Sequence, residues 1–150
     1  PPKGGRVHYV DLPPTEQLRA LYPRKAARHL VDVAVVCDGQ TLAPVPDGTQ
    51  DFVVSNHFLE HCEDPIGAVS NMLRVVKPGG HYVYNDLVVP CWMATFAQKA
   101  IRFVGFPTVE GLDAIVVTKG FERIHDWRGI MAYKAVYHKD AVGDARVGQT

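Results

Sequence analysis

The sequence has no surplus of charge: 16 Lys and Arg balance 16 Asp and Glu over 150 residues. It therefore carries no electrostatic footprint for nucleic acid or an anionic membrane. The short basic cluster Arg24, Lys25 and Arg28 reads as a solvated helix end. Cysteine is scarce as well. Cys37, Cys62 and Cys91 are odd in number and form no Cys-x-x-Cys, which argues against a disulfide framework and a zinc knuckle. Free thiols fit an intracellular reducing compartment, cytoplasmic or organellar. No run approaches the roughly 20 apolar residues that span a bilayer, and no signal peptide, internal repeat or low-complexity block is visible. The chain opens Pro-Pro-Lys-Gly-Gly without an initiator Met, so a processed or longer N-terminus is expected.

What is present is an ordinary globular mixture, 47% hydrophobic and 21% charged. Arg6–Leu12 alternates and is rich in β-branched and aromatic residues, so it predicts a strand. After Pro13-Pro14, Thr15 is the expected cap of a helix with Leu18, Leu21 and Tyr22 on one face. Val31–Cys37 is nearly all apolar, as in a parallel strand buried on both faces. A loop with Pro44, Pro46 and Asp47-Gly48 leads to a third strand, Asp51–Asn56. Asp64 caps the next helix with Pro65 at its first position. Its stripe is Ile66, Val69, Leu73 and Val76, and Pro78-Gly79-Gly80 stops it. His81–Val88 is the fourth strand. Trp92, Met93, Phe96, Ala100 and Phe103 follow helical spacing, and Thr108 caps a further helix that ends at Gly120. Glu122–Trp127 and Ile130–His138 are expected to pair antiparallel.

Strands separated by helices imply a Rossmann-like, doubly wound α/β fold, mostly parallel, with an antiparallel C-terminal pair. In such sheets ligands sit beyond the carboxyl ends of the strands. Those ends here are Asp11, Asp38, Asn56-His57 and Asn85-Asp86, polar or acidic four times over. His57 and His61, four apart within SNHFLEHCEDP, raise the question of a metal. With Cys62 they lack a fourth ligand at a recognisable spacing, so no metal is expected. Nothing marks Cys62 as an activated nucleophile.

The stretch PVPDGTQDFVVSNHFLEHCEDPIGAVSNMLRVVKPGGHYVYND resembles the second half of class I S-adenosylmethionine-dependent methyltransferases of the type 11 kind. An acidic residue and an aromatic, Asp51-Phe52, open a strand. A Leu-Glu-His loop, an Asp-Pro helix start and a Lys-Pro-Gly-Gly turn follow. VHYVDL resembles that family's second strand and KGFERIHDW the entry to its sixth. The likeness covers roughly residues 5–139, and its centre, 44–86, is the specific part. It implies that Asp11, with Leu12 beside it, accepts from the ribose hydroxyls of the cofactor. Asp38 and Gly39 would border the adenine. Asn56 and His57 would face the methionine end, with His57 the one catalytic candidate, a general base. His61 would help fix the loop, and Phe58 and Leu59 would pack beneath it.

The same family begins with a strand and a Gly-x-Gly loop that lets backbone approach the cofactor. No Gly-x-Gly occurs among these 150 residues. Residues 1–140 thus read as a methyltransferase-like domain incomplete at its N-terminus, and 141–150 as a polar tail. The edges at Val7–Val10 and Phe52–Val54 would lack a backbone partner. A strand from outside 1–150 is expected to fill that gap, unless the two edges meet directly. The function implied is methyl transfer from S-adenosylmethionine to a small molecule. The alternative is an inactive methyltransferase-like subunit that has lost the cofactor. The aromatic surface Trp92–Phe106 serves core packing, a partner chain or a lipid face. A nicotinamide-dependent oxidoreductase shares Asp11 but leaves the 51–80 pattern unexplained, and ranks last.

Overall fold

A computed structural model of the chain describes residues 5–26, 30–88, 108–129 and 132–141. The helix expected around Trp92–Phe103 and the tail after Ala141 lie outside the described residues. Two compact units are present, Pro1–Pro44 and Val45–Thr150.

The first unit runs β1 (Tyr9–Asp11), α1 (Thr15–Leu21), α2 (Pro23–Ala26) and β2 (Val33–Val36). The strands pair parallel, with Tyr9 opposite Val33 and Asp11 opposite Val36. Both are shorter than their apolar runs suggest. β2 alternates half-buried and exposed, and Val36 is 53% exposed, so it is not buried on both faces as expected. Thr15 is not the helix cap either. Pro14 holds the cap position, and the buried Thr15 hydroxyl accepts from the Val33 amide at 2.8 Å. That bond ties helix to strand, a use that helix-start chemistry alone does not reveal.

The second unit runs β3 (Gln50–Asn56), a 3-10 turn (Leu59–His61), α3 (Pro65–Val75), β4 (Val76–Leu87), α4 (Val109–Thr118), β5 (Phe121–Arg128) and β6 (Ala132–Lys139). Its strand order is β3-β4-β6-β5. β3 and β4 are parallel; β6 runs antiparallel to both β4 and β5. This is the expected Rossmann-like class with an antiparallel end.

The caps on α3 and α4 are as the sequence predicts. The Asp64 carboxylate accepts from the Gly67 amide at 2.8 Å, and the Thr108 hydroxyl from Gly111 at 3.1 Å. The end of α3 is not. Val75 is its last residue, and Val76 already opens β4 opposite Gln50. The ladder then breaks and resumes with Phe52 opposite His81, so Lys77–Gly80 bulges out. Gly79 supplies a φ of +76°, and a Cβ on Gly80 would stand 2.8 Å from the Asp51 carbonyl oxygen. The two glycines thus shape a bulge rather than a helix stop. The helix buries Ala68, Val69, Met72, Leu73 and Val75, while Ile66 is 60% exposed.

α3 and α4 contact one another over the sheet. Beneath them stand the fully buried rings of Tyr82 and Tyr84 from β4 and of Tyr133 and Tyr137 from β6. Their hydroxyls are satisfied inside: Tyr82 meets Ser55 at 3.1 Å, and Tyr137 donates to Asp113 at 2.9 Å. Asp113 also pairs with Arg123 at 2.6 Å. This core fixes β3 and β4 side by side and sets the position of their carboxyl ends. Among the described residues no helix is long and apolar enough to cross a membrane.

Candidate functional site

In each unit the strand ends gather the polar residues singled out from sequence. In the first unit Asp11 ends β1 beside the end of β2, and the Cys37 amide donates to the Asp11 carbonyl at 3.0 Å. The exposed Asp11 carboxylate accepts from its own neighbour, the Leu12 amide, at 2.7 Å. That bond holds the carboxylate back against the chain and leaves lone pairs for a ligand. The Asp38 carboxylate accepts from the Gln40 amide at 2.8 Å, across Gly39, in an Asx-type turn. Asp11, Leu12, Asp38 and Gly39 thus share one end of one small sheet. Cys37 lies beside them. Burial, and then the Asp38 carboxylate, push its thiol up, which suits an inert thiol rather than a nucleophile.

In the second unit Asn56 and Asn85 are opposite each other at the ends of β3 and β4, joined side chain to side chain. His57 follows with a φ of +49°, a left-handed backbone that histidine adopts more readily than most residues. Its amide donates to the Asn85 carbonyl at 3.0 Å. The chain then bends into the 3-10 turn, and the reason is Asp86. This carboxylate is 2% exposed, and its Oδ2 accepts from the Phe58 and Leu59 amides at 2.8 Å each. A buried charge is tolerated where backbone donors solvate it. Leu59 is fully buried beneath the turn, as expected of it.

The turn sets three titratable side chains together. Glu60 is 14% exposed at its side chain. Its Oε1 lies 3.7 Å from His57 Nδ1 and 3.3 Å from His61 Nε2. Its Oε2 is buried and finds no hydrogen-bond partner among the described residues. His57 and His61 are 59% and 74% exposed at their side chains. His57, Glu60 and Asp86 each bring a ligand-type atom within 4.8 Å of the other two. Cys62 does not join them: it is buried, and its Sγ donates to the Phe58 carbonyl at 3.5 Å. Sequence reading named His57 and Asn56 but passed over Glu60 and the structural weight of Asp86. The spacing His57-x-x-Glu60-His61 was the available signal for the first. The second needed the register of β3 against β4.

Residues 2–84, which are 83 of the 150, match the family described as "Methyltransferase domain". A demethylmenaquinone methyltransferase of Beutenbergia cavernae is 27% identical over 116 residues, 75% of this chain and 48% of that protein. A malonyl-[acyl-carrier protein] O-methyltransferase of Serratia marcescens is 32% identical over 87 residues, 57% of this chain and 31% of that protein. The chain therefore spans half or less of these relatives. Among solved structures, a SAM-dependent methyltransferase of Methanosarcina mazei superposes with a TM-score of 0.60 at 15% identity. The overlap covers 88% of this chain and 81% of that one, a likeness of fold alone. With more than half of its residues inside the family match, the chain belongs to the methyltransferase-domain family.

Proposed function

We propose that this domain binds S-adenosylmethionine and takes part in methyl transfer to a small organic acceptor. The observation that carries the reading is the placing of polar residues at strand ends, on a chain of this family. Asp11 at the end of β1 fits a ribose. A carboxylate offers two acceptor oxygens to a diol, and one of them is already fixed by the Leu12 amide. Asp38 and Gly39 would line the adenine, where the absence of a Cβ at Gly39 allows a flat ring to approach. Asn56 and His57 would serve the methionine end. The sulfonium methyl is the chemistry that the cofactor supplies when bound.

This chain's own residues would orient and deprotonate. His57 is held at the strand tip by its amide bond to Asn85, with Glu60 beside its Nδ1. The Glu60 carboxylate faces that nitrogen from 3.7 Å, too distant for a hydrogen bond. Nε2 would take the acceptor's proton as the acceptor attacks. The organic-acceptor class is drawn from the names of the two relatives, which specify demethylmenaquinone and malonyl-[acyl-carrier protein].

A second reading, a non-catalytic platform, draws on two facts. The 150 residues hold no Gly-x-Gly. The sheet face of the second unit opposite α3 and α4 carries a groove of about 390 Å³ lined by Val54, Val83, Val136 and Trp127. Calorimetric titration of the full polypeptide with S-adenosylmethionine separates the two. The methyltransferase reading expects saturable binding that Asp11→Ala weakens by about 1–3 kcal/mol, the range for a hydrogen bond to a charged group. Absence of binding would favour the platform.

A further inference from the structure

The stretch Ser55–Pro65 holds a feature that cofactor binding does not use. Glu60 is tucked under the turn with Oε2 buried and unpartnered among the described residues. It lies close to a second, more deeply buried carboxylate, Asp86. Two carboxylates in a small, partly dry space repel, and an orphaned carboxylate oxygen loses its hydration with no return. The groups facing the pair are imidazoles: His57 Nδ1 and His61 Nε2 both flank Glu60 Oε1. Acids and imidazoles converging on one point have the composition of a metal site.

We propose that His57, Glu60 and Asp86 bind one divalent transition-metal ion, with His61 at its margin. Ligand atoms about 2.1 Å from a common ion stand at most about 4.2 Å apart. The three groups lie within 4.8 Å of one another, so a tetrahedral ion, whose ligand atoms stand about 3.4 Å apart, would draw them in by about 1 Å. His57 and Glu60 are three residues apart on one turn, and Asp86 approaches from the neighbouring strand, so the ion would clamp the loop to β4. Asp86 is already held by the Phe58 and Leu59 amides. Such outer hydrogen bonds orient a ligating carboxylate before the ion arrives. The donor set is mixed nitrogen and oxygen without thiolate. That favours borderline zinc, or the harder manganese through its carboxylates, over calcium, which takes six to eight oxygens, and over soft cuprous ion. With the ion on Nδ1 the ring proton sits on Nε2, so His57 would act as ligand in the ion-loaded protein and as base only without the ion.

The test is direct. The full polypeptide, stripped with a chelator, is titrated with zinc alone by calorimetry and with manganese alone by electron paramagnetic resonance. We expect one equivalent of each, with no displacement by excess calcium. Glu60→Gln and His57→Ala should each weaken zinc binding at least tenfold, and Cys62→Ser should leave it unchanged. Both ligand variants keep Asp86 and its two amide bonds, and circular dichroism confirms that they are folded. No stoichiometric metal on the parent protein would overturn the proposal. So would a folded Glu60→Gln protein that binds zinc as well as the parent does, or a Cys62→Ser protein that does not bind it. The titration contains neither cofactor nor acceptor, so its result is independent of the methyl-transfer reading.

Discussion

Asp38 in the first unit and Asp86 in the second both stand where a strand gives way to a loop, and they do opposite work. Asp38 turns the chain locally, accepting from an amide two residues on. Asp86 is buried and accepts from amides 27 and 28 residues away. The first bond is a property of a short peptide. The second exists only once β3 lies against β4. An acid at a strand end can therefore be a turn residue, a ligand-facing residue or an internal anchor, and neighbouring sequence does not distinguish them.

The comparison breaks most visibly by substitution. Asp86→Ala strips the acceptor from the buried Leu59 amide and the part-buried Phe58 amide, at about 1–3 kcal/mol each, so a loss of about 2–6 kcal/mol is expected. Asp38→Ala removes one part-buried local bond and should cost about 1 kcal/mol. Urea unfolding of both variants measures the contrast. Equal midpoints would mean that Asp86 is no anchor.

Alkaline pH separates the two units in another way. Burial pushes Tyr82, Tyr84 and Tyr137 well above the ordinary tyrosine range. Nearby charges, Asp86 for the first two and Asp113 for the third, act in the same direction. The sign follows from linkage. These phenols stay protonated when folded, whereas an unfolded tyrosine ionises near about pH 10. Their contribution to stability is complete below that pH and is lost as pH rises above it. The second unit should therefore unfold on the alkaline side with a burst of tyrosinate absorbance, and Tyr82→Phe should shift that midpoint upward. In the first unit Tyr9 and Tyr22 are half-exposed. Gradual ionisation without unfolding would refute this contrast.

The smallest expected effect is at His57. A non-glycine residue at φ +49° holds strain of about 1 kcal/mol. His57→Gly should raise the unfolding midpoint slightly while abolishing the function of the imidazole. A lower midpoint would show that the ring contributes more to packing than its 59% exposure implies.

What could be read from sequence follows the same division. The caps at Asp64 and Thr108 were legible because each bond spans three residues. The antiparallel end was legible from two alternating runs and a short link. The start of β4 was not. Leu73, Val75 and Val76 suit a helix or a strand equally, and Val76 is strand because it stands opposite Gln50 in the ladder, a pairing that local sequence does not show. Thr15 has the chemistry of a cap, yet its hydroxyl is taken by Val33, 18 residues on. At the site, Asn56 and His57 were visible as a strand tip. Glu60 escaped notice because its meaning lies in being buried between two histidines and an aspartate.

The central claim is that S-adenosylmethionine binds at these strand ends. Hydrogen exchange of the full polypeptide, followed by mass spectrometry with and without S-adenosylmethionine, tests it most directly. The account predicts slowed exchange in peptides spanning Asp11–Leu12, Asp38–Gln40 and Asn56–Leu59, and in few others. Protection at none of these three places would contradict it.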